Sequence, residues 1–416
     1  MVKKVKYVKG EKMSEKKVLI LNPYIPTLGG GEKHMGYLCQ CLEEYFDYNV
    51  RIDILVHNYN EVDIHADDYV TIDDVNKQFG LNLKKTYIRK VDLIRATKKN
   101  EYRKNKKTIE DITKEYDFFI NFMFLSKHSG KAKINMYQVM FPPKRFVNDE
   151  DKNLNKNALM RMVAKYLDRK FFNSYDSYIS NSQFTESWLK RYWKDDKREK
   201  VIYPPVFNEK EIEGRYVESE KKNIIISVGR FFVAAHSKKQ LDMVKFFVNN
   251  NEVFKNYEYH LVGAVSNLPA DLEYLQQIKD LAATVDNVFI HENCKYDDLM
   301  KLYKQAKIFW HGTGYGVNEE EEPQKMEHFG ITTVEDMSFG AVPVVISKGG
   351  QKETVEDGVN GYRWLNEEEC VKYTKILIDD DEKRKQMAEV SVERAKDYSI
   401  EAFYRKHIEV FDELQI

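Results

Sequence analysis

From Met326 to Val345 the chain reads MEHFGITTVEDMSFGAVPVV. A Phe-Gly turn follows Glu327. Gly330 to Thr333 is predicted to open a helix, Glu335 lies one turn inside it, and an apolar strand runs from Val342 to Ile346. The first N–H groups of a helix have no partner within it and carry partial positive charge, so such a turn forms a seat for phosphate. Glu327 and Glu335, with seven residues between them, flank the seat where a sugar nucleotide would present hydroxyls on either side of its phosphates. A structural alternative stands beside this one: Thr332 and Glu335 also fit a capping box, in which Glu335 bonds only the backbone at the helix start.

The same succession of strand, turn and helix extends in both directions. Lys16 to Asn22, KKVLILN, reads as a buried parallel strand that enters a turn-rich loop ending in Gly29, Gly30 and Gly31. Met35, Leu38, Leu42 and Phe46 then recur at helical spacing, which puts the glycines where open α/β sheets bind ligands. Further strands are expected at Val50 to Val56, Asp117 to Phe122, Ile134 to Met140 and Ser177 to Asn181. Val201 to Phe207, VIYPPVF, resembles a linker, since two prolines force an extended chain. A second series follows, with strands at Asn223 to Val228, Tyr257 to Val262, Asn287 to His291 and Lys307 to His311. The first of these ends in Gly229 and Arg230, and His236 to Gln240 introduces a helix. Lys238 and Lys239 oppose the dipole of that helix by about 0.3–1 kcal/mol each, an arrangement that makes sense if an anion lies between them and Arg230. The alternative is two solvated lysines. The pattern is α/β, with two doubly wound units.

Length agrees, because 416 residues exceed one ordinary core. The hydrophobic content of 42% excludes wholesale disorder, and no run approaches the roughly 20 apolar residues that span a bilayer. The basic start lacks the apolar core and cleavage site of a secretory signal. Cys39, Cys41, Cys294 and Cys370 are too few and scattered for a disulfide framework and are expected to be reduced. Residues 1–205 hold 39 Lys and Arg against 28 Asp and Glu, and the remainder 27 against 39, so the halves carry +11 and −12. Such polarity suggests that the basic first half faces an anionic surface, for which nucleic acid or the inner leaflet of a membrane would qualify, and nothing else in the sequence resembles a nucleic-acid module. Eleven Lys or Arg fall between Lys84 and Lys107, and Asn155 to Phe172 is a basic and apolar helix. In it Leu159, Met162, Val163, Tyr166 and Phe171 could enter a membrane interface while Lys156, Arg161, Lys165, Arg169 and Lys170 meet anionic headgroups. The alternative is a solvated helix that packs one face on its own domain. The glutamates between Asn318 and Pro323 read as a solvated loop without metal geometry.

Five motifs in register carry a resemblance: LGGGE at Leu28 to Glu32, NSQFT at Asn181 to Thr185, YPPV at Tyr203 to Val206, VGR at Val228 to Arg230, and the Met326 to Val345 stretch with GGQKETVEDGVNG behind it. Together they resemble the retaining GT-B glycosyltransferases of glycosyltransferase family 4, the glycosyl transferases of group 1. The resemblance implies two Rossmann-like domains across a deep cleft. Residues 1–15 would be a basic extension open to disorder, 16–206 the acceptor domain, 207–396 the nucleotide-sugar domain, and 397–416 a helix crossing back to the first domain.

By the same resemblance Arg230 and Lys238, or Lys239 in its place, hold the donor diphosphate, and Gly229 lies beside it. Glu327 contacts the donor sugar, and Glu335 bonds the ribose. The backbone of Gly330, Ile331, Thr332 and Thr333 receives phosphate, and Gly30 and Gly31 approach the diphosphate from the opposite wall. Where many family members carry a histidine near the sugar, MYQVMFPP offers Gln138 or Met140; at the phosphate, His236 is a third candidate beside Lys238 and Lys239. No metal or other cofactor is required. The implied activity is transfer of a hexose from a UDP- or GDP-linked sugar to a lipid-linked or growing glycan at the cytoplasmic membrane face. The expected location is the cytoplasm, with a peripheral seat on the inner membrane face as a further option. A soluble sugar or protein acceptor, or a non-catalytic GT-B protein that binds a glycan or partner, are the alternatives.

Overall fold

A computed structural model describes residues 14–22, 29–57, 70–93, 98–147, 157–193, 199–233 and 237–416. Seven strands form the first sheet: β1 (Lys16–Leu21), β2 (Val50–His57), β3 (Thr86–Val91), β4 (Phe118–Asn121), β5 (Ile134–Val139), β6 (Ser177–Ser180) and β7 (Glu199–Val201), in the order β3-β2-β1-β4-β5-β6-β7. Six form the second: β8 (Ile224–Val228), β9 (Glu258–Gly263), β10 (Val288–Glu292), β11 (Ile308–His311), β12 (Val342–Ile346) and β13 (Tyr362–Trp364), in the order β10-β9-β8-β11-β12-β13. The pairings β1 with β2 and β4, and β8 with β9 and β11, are parallel. Parallel strands covered on both faces need side chains that are apolar throughout, which is why KKVLIL and VPVVI lack alternation.

In each sheet the strand order reverses once, between β1 and β4 and between β8 and β11. At such a point the connections leave in opposite directions and open a crevice beyond the carboxyl ends of the strands. Gly229 and Arg230 follow β8 directly, and Gly312 follows β11, so the second crevice is walled by the residues that carry the motifs.

By contacts the chain divides into two compact units, residues 1–138, 143–178 and 407–416 in one and 139–142 with 179–406 in the other. In the first, Val18, Leu19, Ile20, Ile52, Phe119 and Ile120 are wholly buried. Phe411, from the last helix Ile400–Leu414, packs edge-on to Phe118 at 6.1 Å and to Tyr45 at 5.3 Å, and the Tyr45 hydroxyl donates to Asp412 at 2.9 Å. In the second, Trp310 is fully buried among Phe247, Phe254 and Tyr259, and its indole N–H donates to Thr374 Oγ1 at 2.9 Å. The prolines of VIYPPVF lead into the core of the second unit, where Val206 and Phe207 pack with Phe329 and Tyr398.

Several expectations are corrected. The basic run from Lys84 contains β3 and the start of the helix Lys99–Thr113, neither recognised from the sequence because the density of charge along the run hides the apolar positions of each. β7 and β13, three residues each, are too short for periodicity to show. The glutamates after Asn318 are not a free solvated loop. Glu319 accepts from the Gly349 N–H at 2.9 Å and from Lys352 at 2.8 Å, Glu320 pairs with Arg191, and Glu322 pairs with Lys325 at 2.6 Å. In the helix Ala158–Phe172, Phe171 is buried with Ala164 and Asp168 and so is not available to a membrane. Residues 1–13, Leu28, 58–69, Asn155, Lys156 and His236 lie outside the described residues.

One buried group sets a pH limit on the first unit. His34 has no exposed surface, and burial, with His407 adding to it, lowers its pKa to about 3. The unfolded chain binds a proton there near pH 6.5 and the folded chain does not, so stability falls as pH drops from 6.5 toward 3, by about 1.4 kcal/mol per unit. Urea unfolding at pH 7 and pH 5 is expected to show a His34 contribution to this loss of about 2 kcal/mol, absent from a His34→Phe variant. An equal loss in both proteins would assign it to other groups.

Candidate active site

Gly330 is the N-cap of the helix Ile331–Ser338, with φ of 101° and no side-chain cap. The capping-box alternative is therefore overturned: Thr332 and Glu335 both lie inside the helix, beyond the position a box would give them. The first helical bond runs from the Val334 N–H to the Gly330 carbonyl, which leaves the N–H groups of Ile331, Thr332 and Thr333 outside the helical ladder. No carboxylate occupies the first turn. Two other helices differ here. Glu353 accepts the Gln183 and Phe184 N–H groups, at 2.8 and 2.6 Å, at the start of the helix Gln183–Trp193. Glu32, in the first turn of the helix Gly30–Tyr45, accepts the Gly29 N–H at 3.0 Å. Among these three helix starts, that of Ile331–Ser338 is the one without a carboxylate.

Glycines bring the backbone of this turn together. A Cβ on Gly350 would lie 2.1 Å from the His328 carbonyl oxygen, and one on Gly349 would lie 2.2 Å from that of Glu327. The Gly350 N–H donates to the Glu327 carbonyl at 2.8 Å. Thr333 turns its hydroxyl inward to the buried Gln351 amide at 3.0 Å, so what it presents at the helix start is backbone. The GGQ run behind β12 thus forms the floor under Glu327, a role its sequence position did not reveal.

Glu327 is held from two sides. Lys238 Nζ lies 2.5 Å from its Oε2, and His311 Nε2 lies 3.3 Å from the same oxygen. Burial would raise this carboxyl, but the Lys238 ammonium and the His311 donor outweigh it and hold the group well below the usual carboxylate range. Burial lowers His311, and Lys238 adds to that against the pull of Glu327, so the ring is neutral at pH 7. The anion that justifies a cation at this helix start is, in the structure, a side chain of the chain itself. Lys239 takes a left-handed conformation as N-cap of the helix Gln240–Asn249, which leaves Lys238 as the residue that reaches Glu327.

Gly229 makes room for that reach, since a Cβ there would lie 2.5 Å from Lys238 Cγ. Gln240, 3% exposed, clamps the loop by donating to the Gly229 and Arg230 carbonyls, both at 3.0 Å. The Arg230 guanidinium stands exposed over the Phe232 ring at 4.8 Å, with no ion-pair partner among the described residues. Glu335 is half-buried and accepts from the Tyr303 hydroxyl at 3.4 Å. Gln138 is fully buried, with neither amide atom hydrogen-bonded among the described residues. A cavity of about 400 Å³ lies between the helix Gln183–Trp193 and the loop at Glu319. Its charges, Arg191 with Glu320 and Lys352 with Glu319, already pair with one another, and neither Glu327 nor Lys238 lines it.

His311 and Gln240 escaped the sequence reading. His311 is the last residue of an apolar strand, and only the pairing of β11 with β12 shows that it meets the turn preceding Ile331.

Residues 208–394 match the family described as Glycosyl transferases group 1. The chain is 25% identical over 226 residues to a "GDP-Man:Man(3)GlcNAc(2)-PP-Dol alpha-1,2-mannosyltransferase" of Dictyostelium discoideum, an alignment covering 50% of this chain and 42% of that one. It is 24% identical over 284 residues to the "Alpha-1,3/1,6-mannosyltransferase ALG2" of Candida glabrata, covering 60% of each. The chain spans about half the length of these curated relatives. A crystal structure of a glycosyltransferase from Rickettsia africae superposes with a TM-score of 0.63 at 15% identity, covering 97% of this chain and 99% of that one. The two parallel sheets and this superposition give the chain the GT-B fold.

The glycine geometry separates two substitutions by sign. Gly330→Ala, strained at its φ and meeting Gln351 Nε2 at 2.6 Å, is expected to cost about 1–3 kcal/mol in urea unfolding. Gly31→Ala meets nothing within 4 Å in the first turn of its helix and is expected to gain up to about 1 kcal/mol.

Proposed function

We propose that this protein is a retaining, metal-independent hexosyltransferase that moves a sugar from a nucleoside diphosphate to a lipid-linked or growing glycan. One observation carries the reading: Glu327, fixed by Lys238 and His311, lies in the turn before a helix whose first turn carries no carboxylate and no side-chain cap. The names of the mannosyltransferase relatives favour GDP-mannose as the donor and a dolichol-linked glycan as the type of acceptor.

Each residue then has a part. The diphosphate sits on the N–H groups of Ile331, Thr332 and Thr333, with Lys238 and Arg230 as its cations and Gly229 and Gly330 allowing close backbone approach. Glu327 accepts from the sugar hydroxyls, and Glu335 from the ribose. As the anomeric carbon–oxygen bond breaks, its electron pair passes to the leaving phosphate oxygen, where fixed cations and oriented N–H groups are worth most. The acceptor oxygen bonds the anomeric carbon on the face the phosphate leaves, and its proton goes to the departing phosphate. No side-chain nucleophile takes part. Gln138, whose amide is buried, is given no part in this scheme.

A membrane-borne acceptor agrees with the helix Ala158–Phe172. Leu159, Met160, Met162, Val163 and Tyr166 are 47–66% exposed there, interleaved with Arg161, Lys165 and Arg169. Such a face suits an anionic interface, with apolar side chains entering and cations above them. Among the described residues no helix is long and apolar enough to cross a membrane.

Thermal-shift panels of GDP, UDP, ADP and dTDP with their sugars test the donor. A ligand at 100 times its Kd adds about 2.7 kcal/mol, a raised midpoint that Arg230→Ala should abolish. Transfer by Glu327→Gln should fall by about two orders of magnitude or more, and full transfer by both variants would sink the assignment. Flotation with anionic vesicles tests the surface: binding is expected in low salt, reduced in high salt and lost in Met162→Asp/Tyr166→Asp. Unchanged flotation of that variant would remove the helix from the account.

A further inference from the structure

His311 is buried, at 4% exposure, and points one ring nitrogen at the carboxylate oxygen that also receives Lys238. A carboxylate can only accept, so Nε2 carries the hydrogen; the Thr313 hydroxyl lies 3.3 Å from the same nitrogen. Nδ1 is then a lone pair, buried and without a partner among the described residues. Leaving a polar atom unmatched is costly, and it makes Nε2–H the ring's one donor, 3.3 Å from Glu327 Oε2. The charged groups that face the ring are Glu327, from the turn before Ile331–Ser338, and Lys238, from the loop before Gln240–Asn249.

The two partners of Glu327 differ in freedom. Lys238 is a point charge on a four-carbon stem and can turn to another anion, whereas the His311 ring is fixed at the end of a buried strand. On the functional reading above, which this inference rests on, an arriving diphosphate competes for Lys238. Glu327, with its side chain 17% exposed, then loses its cation, and a carboxylate so enclosed takes up a proton unless a donor remains.

We propose that His311 is the positioning residue that keeps Glu327 ionised and aimed while a diphosphate holds Lys238. The ring touches neither donor nor acceptor. It acts by letting Lys238 change partners without a change of charge on Glu327.

Calorimetric titration with GDP and with UDP, in buffers of different ionisation enthalpy, tests this without turnover. In His311→Leu the freed carboxylate must be protonated, so the diphosphate is expected to bind about tenfold or more weakly, with uptake of up to one proton beyond the wild type. His311→Gln, whose amide can donate to the same oxygen, should restore most of the affinity and suppress the extra uptake. In a Glu327→Gln background His311→Leu should change neither quantity, which a purely structural role would not achieve. Equal affinity and equal proton uptake in the wild type and both single variants would overturn the proposal. So would equal weakening in Leu and Gln variants with no extra proton, since packing alone would then explain it. If neither nucleotide binds the wild type, the functional reading itself fails, a result distinct from binding that ignores His311.

Discussion

Lys238 Nζ and Glu327 Oε2 lie 2.5 Å apart at the carboxyl end of a parallel sheet, and the surrounding architecture makes that contact possible. A partly buried ion pair does not repay its desolvation unless each charge is also satisfied elsewhere, so neither residue could hold its place alone. The lysine enters over Gly229 from the loop after β8. The carboxylate enters from the turn between β11 and the helix Ile331–Ser338. These two loops adjoin because β8 and β11 are neighbours at the reversal of strand order, where a crevice necessarily opens.

Close backbone approach is the second constraint. Gly229, Gly263, Gly349 and Gly350 sit where any side chain would collide with backbone or with the lysine stem: a Cβ on Gly263 would meet the Gly229 carbonyl at 2.1 Å. Gln240 adds direction by drawing the carbonyls of Gly229 and Arg230 toward the helix, which turns the polarity of that loop away from an anion. The result is a loop whose carbonyls are bonded inward, beside a helix start whose first N–H groups lie outside the helical ladder.

Much of this was legible in the chain because it depends on local chemistry. Gly330 to Thr333 reads as the opening of a helix, with the capping box at Thr332 and Glu335 left as an alternative that only the structure removes, and the apolar VPVVI predicts a covered strand. Lys238 at a helix start, against the dipole, reads either as a cation awaiting an anion or as a solvated lysine, and its contact with Glu327 favours the first. What was not legible arises from pairings distant in sequence. His311 reads as the end of an apolar strand until β11 is set beside β12. Gln240 reads as an ordinary first-turn residue until its amide is seen on two carbonyls ten and eleven residues back. The glutamates after Asn318 read as solvated because their partners, Arg191, Gly349 and Lys352, lie far along the chain. Local propensity names the turns and helix starts; the strand order decides which of them meet.

The pairing of a cation with an internal carboxylate also answers a problem that any phosphate site faces when empty. Ammonium, guanidinium and unpaired N–H groups gathered in one crevice repel one another, and an unmatched cluster of this kind weakens the fold that presents it. Glu327 relieves the repulsion at Lys238, and Phe232 offers its ring face to Arg230, which is a weaker partner. The two cations are therefore held by unequal ties. On the function proposed above, a diphosphate would meet Arg230 with little to displace, and Lys238 only by taking it from Glu327. That inequality would give the proposed site an order of events: the exposed guanidinium captures, and the ammonium follows once the phosphate is close enough to compete with a carboxylate at 2.5 Å. Release of the carboxylate from its ammonium would then be coupled to arrival of the ligand, and Glu327 would become available to a sugar only when the phosphate is seated.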